Sequence, residues 1–261
     1  MSPNTPSLTP RSRAQRGFTL VELMVTVGIA LFLLAGLVKI VQNVRTASLT
    51  QQQLALLQDE QRFALTVITD AIQTGGYFAN PLLETSDSFP IAAALAPAQN
   101  FALGWTFTGS HVTGTADNVA LDTLATRFQT DTNFGPLLCD GTDTSKIAGP
   151  NMYQVEFGVD AVNQVLWCSV NNGVKNQLVT GVVAMAVYYG IKRDTATADY
   201  NVDTYVQWDQ FNAGNPNEYL TISAIRVVLT FVNPLAGQAS QPPTITTERV
   251  IEVMARAGQH T

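Results

Sequence analysis

Two cysteines, two histidines and twenty acidic side chains carry most of the chemical capacity of this 261-residue chain, and their spacing limits what they can do. Cys139 and Cys168 stand 29 positions apart, outside any Cys-x-x-Cys or Cys/His arrangement that would grip zinc. In an oxidising compartment an even pair reads as a disulfide; the alternative is two unpaired core cysteines. His111 lies in a Gly/Thr/Ser-rich stretch and His260 near the end of the sequence, which suits solvated or capping roles better than catalysis. Asp194, Asp199 and Asp203 could surround a hard cation, but their spacing is not that of an EF-hand and lacks its glycine. A solvated acidic loop is the plainer reading, and these three are only weak metal candidates. No HExxH, P-loop, GxGxxG or GxSxG is present, so neither a cofactor nor an enzymatic activity is expected.

One further acid is out of place. Glu22 sits inside "QRGFTLVELMVTVGIALFLLAGLVKIVQ", residues 15–42, where an unpaired carboxylate in lipid costs about 2.5 to 3.5 kcal/mol at mid-membrane. As a helix, residues 18–38 would span about 31 Å, matching a bilayer core of about 30 Å. Arg11, Arg13 and Arg16 precede the run and no acid occurs in the first 21 positions. The positive-inside rule therefore leaves the N-terminus cytoplasmic and the rest across the membrane, with Lys39 able to snorkel to the far interface. A secretory signal peptide fits less well: its apolar core is shorter, and "QNVRTASLT" offers only a poor cleavage site. Residues 42–261 hold ten Lys/Arg against nineteen Asp/Glu, an acidic balance that disfavours nucleic acid as a partner.

Beyond Lys39 the helical pattern continues with no proline before position 81. Leu54, Leu57, Ala64, Leu65, Ile68 and Ile72 recur at three- and four-residue spacings, giving an apolar stripe that needs cover. Gly75 and Gly76 can stop this helix, which would run from 18 to 74. Candidate strands follow. "AIRVVLTFV" at 224–232 alternates, and "MYQVEFGV" and "QVLWCSV" flank "DAVN" as a hairpin. "VALDTLATRFQ", "GVVAMAVYYGI" and "ITTERVIEVMA" are further candidates, while Trp105, Trp167 and Trp208 read as packing residues. The expected fold is α+β, a long helix on an antiparallel sheet, because strands follow the helix rather than alternate with helices.

The stretch "RGFTLVELMV", Arg16 to Val25, resembles the processing and methylation site of type IV pilins. The resemblance implies cleavage after Gly17 by a prepilin peptidase, methylation of Phe18, and pairing of Glu22 with the N-terminal amine of a neighbouring subunit during assembly. "QRFALTVITDAIQTGGYF", "LVTGVVAMAVYYGI", "YVQW" and "ISAIRVVLTFV" resemble minor pilins of the PilW family, whereas "KRDTATADYNVD" departs from the family pattern. This resemblance implies a type IV pilin-like fold divided into a leader at 1–17, a transmembrane half-helix at 18–41, an amphipathic half-helix at 42–74 and a periplasmic β-rich domain at 75–261. It implies a minor pilin acting in pilus assembly or initiation from the inner membrane. The expected partners are other minor pilins, the major pilin, the inner-membrane assembly platform and membrane lipid. A type II secretion pseudopilin and an adhesin-like, ligand-binding tip pilin are the alternative functions.

Overall fold

The computed structural model describes residues 17–80, 82–91, 100–113, 119–131, 135–147, 151–194, 201–212 and 215–254. Contacts divide the chain into two units, Met1–Gln52 and Gln53–Thr261. The first helix, α1, is Leu20–Thr74.

Within the first unit the described residues are helical from Leu20 onward, and none is buried. Leu23, Leu31, Phe32, Leu37 and Ile40 all stand open, so this apolar segment has no cover from its own unit. Its hydroxyls are satisfied locally, Thr26 Oγ1 donating to the Leu23 carbonyl at 2.9 Å and Thr46 Oγ1 to that of Gln42 at 3.0 Å. The helix is long and apolar enough to cross a membrane.

The second unit buries Leu57, Ala64, Leu65, Ile68 and Ile72, the stripe residues of α1 downstream of residue 52 except Leu54. Ile68 and Ile72 join a core with Phe107, Phe128, Phe157 and Phe231. At the helix end Gly76 takes φ of 81°, and its N–H donates to the Arg127 carbonyl at 2.9 Å. Gly75 has a different reason: a Cβ there would strike Thr126 Oγ1 and the Phe107 ring. A short helix α2, Thr85–Ser88, follows.

Nine described strands form two antiparallel sheets, where one sheet was expected. The first contains β1 (Phe107–Ser110), β2 (Thr123–Thr130), β3 (Asn151–Asp160), β4 (Val165–Val170) and β5 (Asn176–Thr180), in that spatial order. The second, ordered β7-β6-β8-β9, contains β6 (Val182–Ile191), β7 (Thr204–Val206), β8 (Ala224–Val232) and β9 (Thr244–Glu252). β3 and β4 form the hairpin over residues 160–165, pairing Asp160 with Val165. The two sheets are bridged just before β2. Leu121 makes a parallel bridge to Met185, and the N–H of Asp122 donates to the Met185 carbonyl at 3.0 Å. The expected strand at 119–129 is therefore shared: its start pairs with β6 and its remainder is β2.

Candidate functional site

The helix start carries the residues with the most specific spacing. Thr19 immediately precedes α1, and its Oγ1 accepts from the Glu22 N–H at 3.3 Å while its carbonyl accepts from Leu23 N–H at 3.2 Å. "TLVE" thus places a threonine at the helix cap and a glutamate three residues on, the spacing of a capping box, and Glu22 is the acid of the first turn. This local role is a second reason for a carboxylate at position 22, and sequence reading missed it. Gly17 is exposed, and a Cβ there would meet nothing within 4 Å. Among the described residues no packing demands glycine at that position.

Cys139 and Cys168 form a disulfide, with Cα atoms 6.4 Å apart. Cys168 is fully buried on β4, so the bond fastens the turn around residues 137–143 to the first sheet. The acidic loop is less available to a cation than its composition suggests. Asp203 spends its carboxylate on the backbone, accepting from Arg193 N–H at 3.1 and 3.0 Å and from Asp194 N–H at 2.6 Å. Those N–H groups hold its pKa below the usual carboxylate value. Asp199 and His260 lie outside the described residues, and the described residues contain no group of three potential metal ligands. Nearby, Glu218 receives Arg193 Nε at 2.6 Å and Asn212 N–H at 2.6 Å. Burial pushes the Glu218 carboxyl up, but these partners together leave it below its ordinary value.

Two buried polar groups were not singled out as sites. Arg127 on β2 has no carboxylate partner among the described residues; its guanidinium donates to the carbonyls of Trp105, Pro90, Phe89 and Ala102 at 2.5, 2.6, 3.2 and 2.9 Å. It also lies 4.7 Å from the Phe101 ring centroid, and burial lowers its pKa to about 10. Asp122 joins the sheets by its side chain: Oδ1 pairs with His111 Nδ1 at 2.7 Å and Oδ2 accepts from the Val187 N–H on β6 at 2.8 Å. His111 is therefore largely enclosed rather than solvated, its side chain 17% exposed. Trp105 stacks on Tyr219 at 4.0 Å and Trp208 contacts Tyr189, Phe211 and Tyr219, which fits the expected packing role. Trp167 packs against Gly158 and beneath Lys175, whose Nζ is 3.9 Å from its ring. Among these groups the chemistry is that of fastening. The segment that offers something to another molecule is the exposed N-terminal one.

Comparison with known proteins bears on that segment and on the sheets. Residues 12–38 match the prokaryotic N-terminal methylation motif, and residues 152–251 match type IV pilus-assembly protein W. Together these two matches support a type IV minor pilin of the PilW type. The PilW match begins in β3 and closes in β9, so it covers the second sheet except Glu252, and the methylation motif covers Gly17, Phe18 and Glu22. Among solved structures, a type IV-like pilin from Thermus thermophilus is similar at 12% identity, over 76% of this chain and 96% of the other, with a TM-score of 0.42. No curated protein matches the chain. The methylation motif and the apolar helix fit a membrane-anchored pilin.

Proposed function

We propose that this chain is a type IV minor pilin of the PilW type, cut after Gly17 and methylated at Phe18. In this reading residues 18–41 hold it in the inner membrane, the β-rich region lies in the periplasm, and the protein then enters a type IV pilus as an assembly or initiation subunit. Its partners are other minor pilins, the major pilin, the prepilin peptidase and the inner-membrane assembly platform. It acts as a structural and interacting protein, without catalysis. The observation that carries the reading is the methylation motif joined to an apolar helix that its own unit leaves wholly uncovered. An open Gly17 supports it, because the need for glycine then comes from an external peptidase rather than from the fold. Glu22 can serve twice, as the first-turn acid of its own helix and as the partner of a neighbour's N-terminal amine, since bringing two charges together in lipid relieves the cost of each.

The test is shear fractionation of cells carrying the epitope-tagged full chain, followed by mass spectrometry. The expected result is recovery with sheared pili, together with other minor pilins, of a chain beginning at methylated Phe18. Recovery with secretion-system components and absence from pili would point instead to a pseudopilin.

A further inference from the structure

Each sheet has two outer strands, β1 and β5 in one, β7 and β9 in the other. An outer strand presents unpaired N–H and C=O groups that can template a foreign strand, and proteins blunt such edges by shortness, bulges, proline or charge. β1 has four residues and β7 three. β5 has five and loses register opposite Leu166 and Trp167. β9 has none of these irregularities. It runs nine residues, pairs with β8 without a break from Thr244 to Glu252, and contains neither proline nor glycine. Its outer edge pairs with no other strand among the described residues.

Charge says what kind of strand fits. On β9 the side chains of Ile245 and Ile251 turn inward, leaving Thr246, Glu248, Val250 and Glu252 on the outer face, all exposed. Neither glutamate forms an ion pair among the described residues. The one basic residue of β8, Arg226, stands opposite Val250, but its guanidinium lies over the rings of Tyr188 at 4.3 Å and Tyr205 at 5.6 Å, toward β6 and β7. Arg249 belongs to the opposite face, where its Nη1 donates to Thr69 Oγ1 at 3.2 Å. Two carboxylates four residues apart, with an apolar residue between them, therefore border an edge that is open and without a basic partner among the described residues. A second copy paired antiparallel over the whole strand would set Glu248 against Glu248, and like charges directly opposite destabilise a ladder.

We propose that β9 is a docking edge for an extended segment of a different protein, added as a fifth strand to the second sheet. That segment carries Lys or Arg at two positions four residues apart, facing Glu248 and Glu252, and an apolar residue between them facing Val250. Main-chain hydrogen bonds supply the affinity and the two basic residues set the register. The inference goes beyond the role in pili and does not depend on it.

The full chain in detergent micelles, probed by amide hydrogen exchange over residues 244–252, tests it with two synthetic peptides. One is acetyl-Thr-Val-Lys-Thr-Val-Thr-Lys-Val-amide; the other replaces both lysines with glutamate. At low salt and saturating concentration the lysine peptide should slow exchange in β9 at least tenfold and the glutamate peptide should not. The double variant Glu248→Lys, Glu252→Lys, altered only at exposed positions, should reverse that preference. No protection by the lysine peptide, or equal protection by both, overturns the proposal. Protection of β9 that rises with the concentration of the protein alone also overturns it, by assigning the edge to a second copy.

Discussion

Arg127 shows how much a single residue can organise without taking part in any recognisable motif. Four carbonyls from residues 89–105 converge on one guanidinium that is 1% exposed, so the side chain fastens that connection to β2. A planar fork with several donors suits this task, and an ammonium on a flexible stem cannot reproduce it. Arg127→Met should fill much of the space yet remove the donor to the Trp105 and Pro90 carbonyls, each loss costing about 1 to 3 kcal/mol, while those of Phe89 and Ala102 keep the N–H groups of Gly104 and Trp105. The variant should lose at least about 2 kcal/mol of stability, read by urea unfolding, and Arg127→Lys should restore only part of it. Loss below about 1 kcal/mol in the methionine variant would mean that the carbonyls find other partners. Nothing in "LATRFQ" advertised this arginine, because its partners come from 22 to 38 positions away and all are main-chain. Asp122 was hidden for the same reason: its Val187 partner lies 65 positions on. By contrast, the methylation motif that spans Gly17, Phe18 and Glu22 is contiguous and so legible in local sequence, as the proposed reading by an outside enzyme requires.

Among the elements, legibility followed length and alternation. α1 was plain from its stripe and terminal glycines, and β3, β4, β6, β8 and β9 from runs rich in branched and aromatic residues. β1, β5 and β7, of four, five and three residues, are too short to show a period, and their strand state comes from neighbours. The division into two sheets was equally invisible, since β5 and β6 are parted only by Gly181, at φ of 74°, with no break in hydrophobicity. The disulfide ties the turn near residue 139 to β4 across 29 positions, and the chain-entropy account gives such a closure about 3 to 4 kcal/mol. Cys139→Ser should therefore lower stability by about 2 to 5 kcal/mol, and alkylation of the unreduced protein should label no thiol. The connection between β6 and β8 is held by charge instead. Asp203 and Glu218 both have folded-state pKa values below their ordinary ones, so the stability they give is present above the unfolded values and lost as pH falls through the folded ones. Between pH 7 and 5 these groups should change nothing. Below about pH 4 the environment of Trp208 should loosen, seen as a change in its fluorescence, and Glu218→Gln with Asp203→Asn should flatten that dependence.

At the scale of the whole molecule, the two units obey different physical rules. The second has its own core, its own disulfide and polar groups fastened across its two sheets. The first, among its described residues, buries nothing and exposes a continuous apolar surface. Such a segment is stable only where something else covers it, lipid before assembly and other subunits afterward in the proposed role. Glu22 decides between three explanations of one carboxylate. If it were merely tolerated in lipid, Glu22→Ala would be neutral or favourable to the membrane-held chain. If its work were capping, Glu22→Gln would serve nearly as well as glutamate, because glutamine can fill the same box, and Glu22→Ala would weaken the first turn. If it pairs with a neighbour's amine, both substitutions leave that amine unpartnered in a poorly screened environment, and glutamine should fail almost as badly as alanine. The expected outcome is that both variants insert in the membrane and are cut after Gly17, while incorporation into sheared pili falls at least tenfold for each. Incorporation of the glutamine variant at the native level, with the alanine variant impaired, would assign Glu22 to its own helix and remove the intersubunit pair from the assembly mechanism.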